Sequence, residues 1–372
     1  LSKIPGGKNL ALGPVDTKFV SDPLAFMKKF AALPTDYDSQ SLAGMAIYDK
    51  GMSATKTDDL MTIERRERQI AFTRFEEIAG VLRSRKNGYK LVFLPKGKLK
   101  HDISTYIPMW FLPWASNRLT SMRLPPKIPL RPGAAPAHNR AADPDIFFTA
   151  AINGCSVIVH GDPKSPTVSH GGTTDPRSKT HDVNGHATED PFLHGNARLH
   201  WSELHKRYFG GAPGFGTTAG ISAGDYINTM QMGNTPEAME YKKFLSSTTP
   251  KSLRISHLQA QGCVFGLRDS GGNWSFYLQK NIELTVTRMK KKHGFFGDRV
   301  PAQKGYFNTT PLPPGMDPSL AMKPKQIFTE DSVQLSIPIN VVKFFPGGKD
   351  SGTAHAMLDK NTVKAMCESA LA

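Results

Sequence analysis

At 372 residues and 39% apolar content, the chain can bury a sizeable core and fits one large or two smaller domains. Its apolar runs fall short of the roughly 18 residues of a membrane span and its first residues carry no signal-peptide pattern, which describes a soluble globular protein without a membrane span. The excess of 47 Lys and Arg over 32 Asp and Glu, a formal charge of +15, suits nucleic acid, an acidic membrane surface or an acidic protein partner.

Leu1 stands where an initiator methionine would, which fits processing, trimming, or a domain cut from a longer polypeptide. Residues 1–55 are rich in Gly, Pro, Asp and Lys and read as an N-terminal appendage, partly irregular. It packs on the main body, serves delivery, or is disordered in its first turns. One helix is predicted there: Asp22-Pro23 opens it, Leu24, Met27 and Phe30 form its apolar stripe, and Leu33-Pro34 ends it. A long helix is predicted next, from Thr57 to about Arg85, with Leu60, Ile63, Ile70, Ile78 and Val81 inward. Glu64, Arg65, Arg66, Glu67 and Arg68 make its mixed-charge outer face, a solvated face rather than a nucleic-acid helix. Lys90–Leu94 reads as a strand and Pro95–Lys98 as a turn. Tyr106–Trp114 is a second strand, broken by Pro108 and Pro113. Its tryptophans, Trp110 and Trp114, either line a substrate groove or pack in the core. Residues 123–144, rich in Pro, Ala and Arg, form an extended surface loop.

The centre of the chain is Asp145–Val159 with the following His170. The spacing predicts a short helix, capped by Asp143 or Asp145 beside Pro144 and anchored by Ile146, Phe147, Ala150 and Ala151. Gly154 supplies a tight turn, with Asn153 before it, and delivers Cys155 to the strand Val157–Val159. Gly161-Asp162-Pro163 and Ser165-Pro166 turn the chain back as Thr167–His170, before Gly171-Gly172. Such a hairpin brings His170 beside Cys155, the arrangement of a thiolate–imidazole couple in which the imidazole activates the thiol. Thr149 can bond the second ring nitrogen and fix the tautomer. The bland alternative is a buried cysteine with an unrelated histidine.

Past His170 the chain carries His181, His186, His194, His200 and His205. The interval from His200 to His205 is five residues, not the four that stack two rings on a helix face, and no zinc motif accompanies it, so no metal is assigned. Ala197–Tyr208 reads as a helix. Gly210–Gly216 lacks the lysine and threonine of a phosphate loop and reads as flexible loop. Four strands follow, Leu253–Ser256, Cys263–Arg268, Trp274–Gln279 and Ile282–Thr287, with Asp269–Asn273 the clearest hairpin loop. Gly262-Cys263 is a rival nucleophile, but it has no histidine on its return strand and reads as a core cysteine. Arg288–His293 is a basic strand end. Phe307–Met322 reads as loop, Ser332–Val342 as a last strand, and Leu358–Leu371 as an amphipathic helix carrying Cys367. Three dispersed cysteines argue against a disulfide framework and for a reducing place of action.

Phe147-Phe148-Thr149, Gly154-Cys155, Val157 and His170 resemble the active-site stretch of the lethal factor-like glutamine deamidases of Burkholderia, which are related in fold to the catalytic domain of the cytotoxic necrotising factors. Trp110-Phe111-Leu112-Pro113-Trp114 is similar to a Trp-Leu-Pro-Trp element at a comparable distance upstream. The specific part covers about residues 88–172. The family's catalytic cysteine, histidine and threonine fall on Cys155, His170 and Thr149. The cysteine-to-histidine gap is closer to that of the necrotising factors, and Asn153 stands where the family commonly has serine.

The expectation is an α+β fold: a β-sandwich-like mixed-sheet core surrounded by helices, the deamidase fold of the lethal factor and necrotising factor type. Residues 56–372 form its catalytic domain, with the active-site segment at 145–172. The resemblance implies a bacterial toxin or effector, secreted or injected, acting in the target cell's cytosol. It would deamidate a glutamine of a protein such as the translation initiation helicase or a Rho-type GTPase, with no cofactor and no obligatory nucleic acid. Gly154 and Asn153 would supply the turn at the oxyanion. Cysteine protease and transglutaminase chemistry use the same dyad and remain open, as does a basic nucleic-acid-binding protein with an inert cysteine.

Overall fold

The computed structural model describes residues 12–34, 55–56, 60–63, 70–79, 84–94, 105–114, 118–129, 143–152, 155–172, 180–181, 187–188, 197–212, 216–222, 225, 252–291, 299–301, 303–308, 325–330 and 332–347. The Leu358–Leu371 helix, Cys367, Asn153, Gly154, His186 and His194 lie outside them.

Two short helices come first, α1 (Pro14–Ser21) and α2 (Pro23–Lys29), each opened by a proline whose missing N–H costs nothing there. Asp22 caps α2 by accepting the Ala25 N–H at 2.9 Å. The strand β1 (Ala31–Pro34) follows, then β2 (Thr55–Lys56), β3 (Leu60–Ile63), β4 (Ile70–Ala79) and β5 (Ser84–Phe93). These replace the helix expected over Thr57–Arg85. In β4, Ile70 and Phe72 point one way, Ala71 and Phe75 the other, and all four are buried. Burial on both faces erases the alternation that marks a half-exposed strand, and the remaining apolar spacing passes for a helix.

The chain continues through β6 (Ile107–Leu112), β7 (Arg118–Arg123), β8 (Ile146–Thr149), β9 (Ser156–His160), β10 (Thr167–Gly172), β11 (Thr180–His181), β12 (Ala187–Thr188) and α3 (Ala197–Phe209). It ends with β13 (Thr218–Ile221), β14 (Leu253–Arg268), β15 (Trp274–Lys291), β16 (Arg299–Pro301), β17 (Gln303–Asn308), β18 (Lys325–Glu330) and β19 (Ser332–Phe345). The protein is therefore mixed α+β and sheet-rich, with three helices among the described residues.

Nine strands form the larger sheet, in the order β1-β5-β19-β15-β14-β8-β6-β4 with β16 added on β15. Because β4 also pairs with β5, the sheet curls until it meets itself. The curl wraps α1 and α2. Phe19 touches Phe75 on β4 and Phe148 on β8, Phe26 touches Tyr89 on β5, and Gln279 on β15 donates to the carbonyls of Met27 and Phe30. Residues 12–34 thus contribute Phe19, Phe26, Met27 and Ala32 to the core, with one face of α1 and α2 packed on the curled sheet.

The smaller sheet has six strands in the order β13-β9-β10-β7-β3-β2. One face carries Val157, Val159, Val168 and Met122 and shares a single apolar core with Trp110, Leu112 and Phe147 of the larger sheet. The other face packs under α3, where Leu204 meets Leu119 and Ile158. The candidate site lies in the layer between the sheets.

Candidate active site

The segment expected as the short helix before Cys155 is the buried strand β8. It pairs in parallel with β6 (Phe147 with Trp110, Thr149 with Leu112) and antiparallel with β14 (Phe148 with Phe265). Aromatic and β-branched side chains buried on both faces favour this arrangement. The two expected cap residues serve another partner. Arg268, its side chain fully buried, bonds Asp145 Oδ1 at 2.8 Å, Asp143 Oδ1 at 3.0 Å, and the carbonyls of Asp143 and Pro144 at 3.0 Å each. Its guanidinium also lies 5.1 Å from the Trp274 ring centre. Arg268 thereby ties the residues before β8 to the end of β14.

At its other end β8 delivers Thr149. The Thr149 hydroxyl lies 2.9 Å from the Leu112 carbonyl oxygen and 2.7 Å from His170 Nδ1. A hydroxyl has one proton and the carbonyl can only accept, so that proton goes to Leu112 and Thr149 accepts the Nδ1–H of His170. This assignment follows from the hydrogen-bond network. It leaves His170 Nε2 as a bare lone pair, buried and without a hydrogen-bond partner among the described residues.

Burial sets the charge of that ring. His170 has no exposed surface, and desolvation pulls its pKa down to about 3. At neutral pH it is therefore an uncharged imidazole, a neutral base.

Cys155 sits one residue before β9, almost buried at 5% exposure and not disulfide-bonded. In the β9–β10 ladder His170 faces Val157, and Cys155, two residues earlier, joins the same inter-sheet core as Val157. Cys155 is therefore the diagonal neighbour of His170 on one face of the sheet. Diagonal pairs lie about 7–8 Å apart between backbones, within reach of long side chains. The hairpin was legible: Gly161 adopts φ +99, and Asp162 accepts from the Lys164 and Ser165 N–H groups in its turn.

The other candidates separate cleanly. Trp110 is wholly buried and its indole N–H donates to the Pro144 carbonyl at 2.8 Å, which makes it a core residue rather than a groove residue. Trp114 is partly buried against the same core. Cys263 is fully buried, and burial pushes its thiol pKa up, which suppresses the thiolate. It sits in register with Gln279, on the face of the larger sheet turned to α2, away from Thr149. Its part is packing.

Two features were missed in the sequence. The Leu112 carbonyl anchors Thr149, which only the β6–β8 pairing reveals. His160 on β9 and His205 on α3 form a buried pair, Nδ1 to Nε2 at 2.9 Å, beneath Phe209. Burial lowers their pKa values to about 4 and about 3, and the neighbouring His160 adds to the effect on His205. Among the described residues, no three His, Cys, Asp or Glu side chains gather into a metal site, and no helix is long and apolar enough to cross a membrane. No protein-family model and no curated protein matches the chain.

Proposed function

We propose that the chain is a cysteine-dependent glutamine deamidase of the lethal factor and necrotising factor type, a bacterial toxin or effector acting on a protein in the target cell's cytosol. One observation carries the reading. The Leu112–Thr149–His170 relay leaves Nε2 bare, on the face of the sheet that His170 shares with Cys155. A buried ring nitrogen held bare in this way is available to accept a proton.

The chemistry follows. Cys155 Sγ attacks the glutamine carboxamide carbon while His170 Nε2 takes the thiol proton. Backbone amides near Cys155 would hold the oxyanion, the role that the resemblance gives to Asn153 and Gly154. His170 returns the proton to the departing nitrogen, ammonia leaves, and a thioester remains. Water then attacks, giving up its proton to Nε2, and the C–S bond breaks to release glutamate and the thiol. Thr149 keeps Nδ1 protonated throughout. A target with an acidic surface would complement the +15 charge. The translation initiation helicase and Rho-type GTPases are the candidates that the resemblance supplies.

The test is peptide mass spectrometry of target-cell cytosol incubated with wild-type protein or Cys155→Ser. We expect a glutamine-to-glutamate conversion that the folded serine variant does not produce, serine being a poor nucleophile without an alkoxide-generating triad. An amine adduct would indicate transglutamination and a new chain end proteolysis. Conversion by Cys155→Ser would refute the nucleophile.

A further inference from the structure

One more hydroxyl lies in the layer between the sheets. Thr120 on β7 is the direct cross-strand partner of His170. Opposed residues of this kind point to one face with Cβ atoms about 4.5–5.5 Å apart. Thr120 is fully buried, and its Oγ1 has no hydrogen-bond partner among the described residues. His170 Nε2, on the adjoining strand, is in the same condition. On its other flank His170 faces Val157, which is apolar. The base thus has Thr120 directly opposite on one flank and, on the other, Val157 with Cys155 diagonal to it. Two unbonded buried polar atoms on one directly opposed cross-strand pair suit one small polar molecule bonded to both.

We infer that Thr120 Oγ1 and His170 Nε2 together hold the hydrolytic water of the deacylation step, so that Thr120 is a positioning residue for hydrolysis. This rests on the deamidase reading. The water donates one hydrogen to the Nε2 lone pair and accepts the Thr120 O–H, which leaves an oxygen lone pair for the thioester carbonyl. As the C–O bond forms, the water's O–H bond breaks towards Nε2. The C–S bond then breaks, and the proton on Nε2 returns to the Cys155 thiolate. Thr149 and Thr120 divide the ring between them, one fixing its tautomer and the other its reactant. A bonded water also favours hydrolysis over attack by a bulkier amine.

The test needs no knowledge of the target. p-Nitrophenyl acetate acetylates a reactive cysteine, and intact-mass analysis follows the loss of acetyl from Cys155 in wild type, Thr120→Val and Thr120→Ser. We expect Thr120→Val to acetylate as readily as wild type but to deacylate about tenfold or more slowly, an orientation-sized loss. Thr120→Ser should deacylate near the wild-type rate. Hydroxylamine, which attacks thioesters without a positioned base, should clear acetyl equally from all three, which excludes a general distortion of the valine variant. Equal spontaneous deacylation of wild type and Thr120→Val overturns the inference and leaves the deamidase reading standing. Failure of wild-type Cys155 to acetylate overturns both.

Discussion

Thr149→Val keeps the branched shape at the end of β8 and deletes the hydroxyl that bonds β8 to His170 on β10. Leu112 loses little, because its carbonyl still accepts the Ala150 N–H at 3.0 Å. His170 loses its only bonded contact on Nδ1, in a position with no exposed surface. A buried donor left unpaired costs roughly 1–3 kcal/mol. The ring can escape part of that cost by moving its proton to Nε2, which then ceases to be a base. At 1.36 kcal/mol per tenfold, the same penalty reduces the competent tautomer about tenfold to a hundredfold. Turnover should fall by that factor, while Thr149→Ser, which restores the hydroxyl, retains most activity. Nitrogen-15 NMR of the His170 ring reads the cause directly: wild type should carry its proton on Nδ1 and the valine variant mostly on Nε2. A fully active Thr149→Val, or a wild-type ring protonated on Nε2, would refute the argument.

Two further outcomes follow from the burial of the site and its surroundings. Because His170 is uncharged above about pH 3, iodoacetamide should find no fast, imidazolium-supported reaction of Cys155 between about pH 4 and 6, and Cys263 should stay unmodified until the protein unfolds. A reactivity plateau in that acid range would establish an ion pair instead. His160 and His205 have folded pKa values depressed to about 4 and 3, so the unfolded chain, titrating near 6.5, binds protons first as pH falls. The stability they contribute is complete above 6.5 and drains away below it, by about 2 kcal/mol per histidine at pH 5. His205→Gln, which keeps a hydrogen-bonding side chain, should flatten the fall in melting temperature between pH 7 and 5. An unchanged slope would show that the pair is not titrating.

Which parts of the fold were legible depends on how many faces of each element are buried. The β9–β10 hairpin was readable because its turn is spelled out by Gly161, Asp162 and Pro163 between β-branched runs. The helix α3 was readable because only one of its faces packs. β4 and β8 lie under protein on both sides and lost the period that identifies a strand. The sequence predicts four short strands where β14 and β15 run, because Gln261, Gln279 and Asn281 interrupt their apolar pattern. In the structure these polar groups do not end strands. Gln279 accepts the Ala32 N–H at 2.9 Å and bonds Asn281 at 3.0 Å, tying the N-terminal segment to the middle of β15. The site divides in the same way. Cys155 and His170 follow from a local hairpin, Thr149 from the need to hold the imidazole together with the resemblance, and Thr120 lies on β7, which no sequence pattern marks. Pairings between distant strands leave no local trace.

The depth of the site bears on how it can work. Holding the His170 imidazolium at a pKa of about 3 rather than 6.5 disfavours the charged ring by roughly 5 kcal/mol, so proton transfer from Cys155 in isolation is uphill. Opposite unit charges about 4 Å apart attract by about 4 kcal/mol at the effective dielectric of a protein site. The two magnitudes nearly cancel, but only while an anion stands beside the ring. In the proposed deamidation that anion would be the thiolate as it attacks and then the oxyanion of the tetrahedral intermediate. Thr149, a hydroxyl rather than a carboxylate, adds orientation and little charge compensation. His170 can therefore accept the proton in concert with attack on a carbonyl and not before it. Cys155 should accordingly be slow towards iodoacetamide, whose displacement needs a preformed thiolate and builds no oxyanion. It should be quicker towards an activated ester, where the developing oxyanion supplies the missing charge.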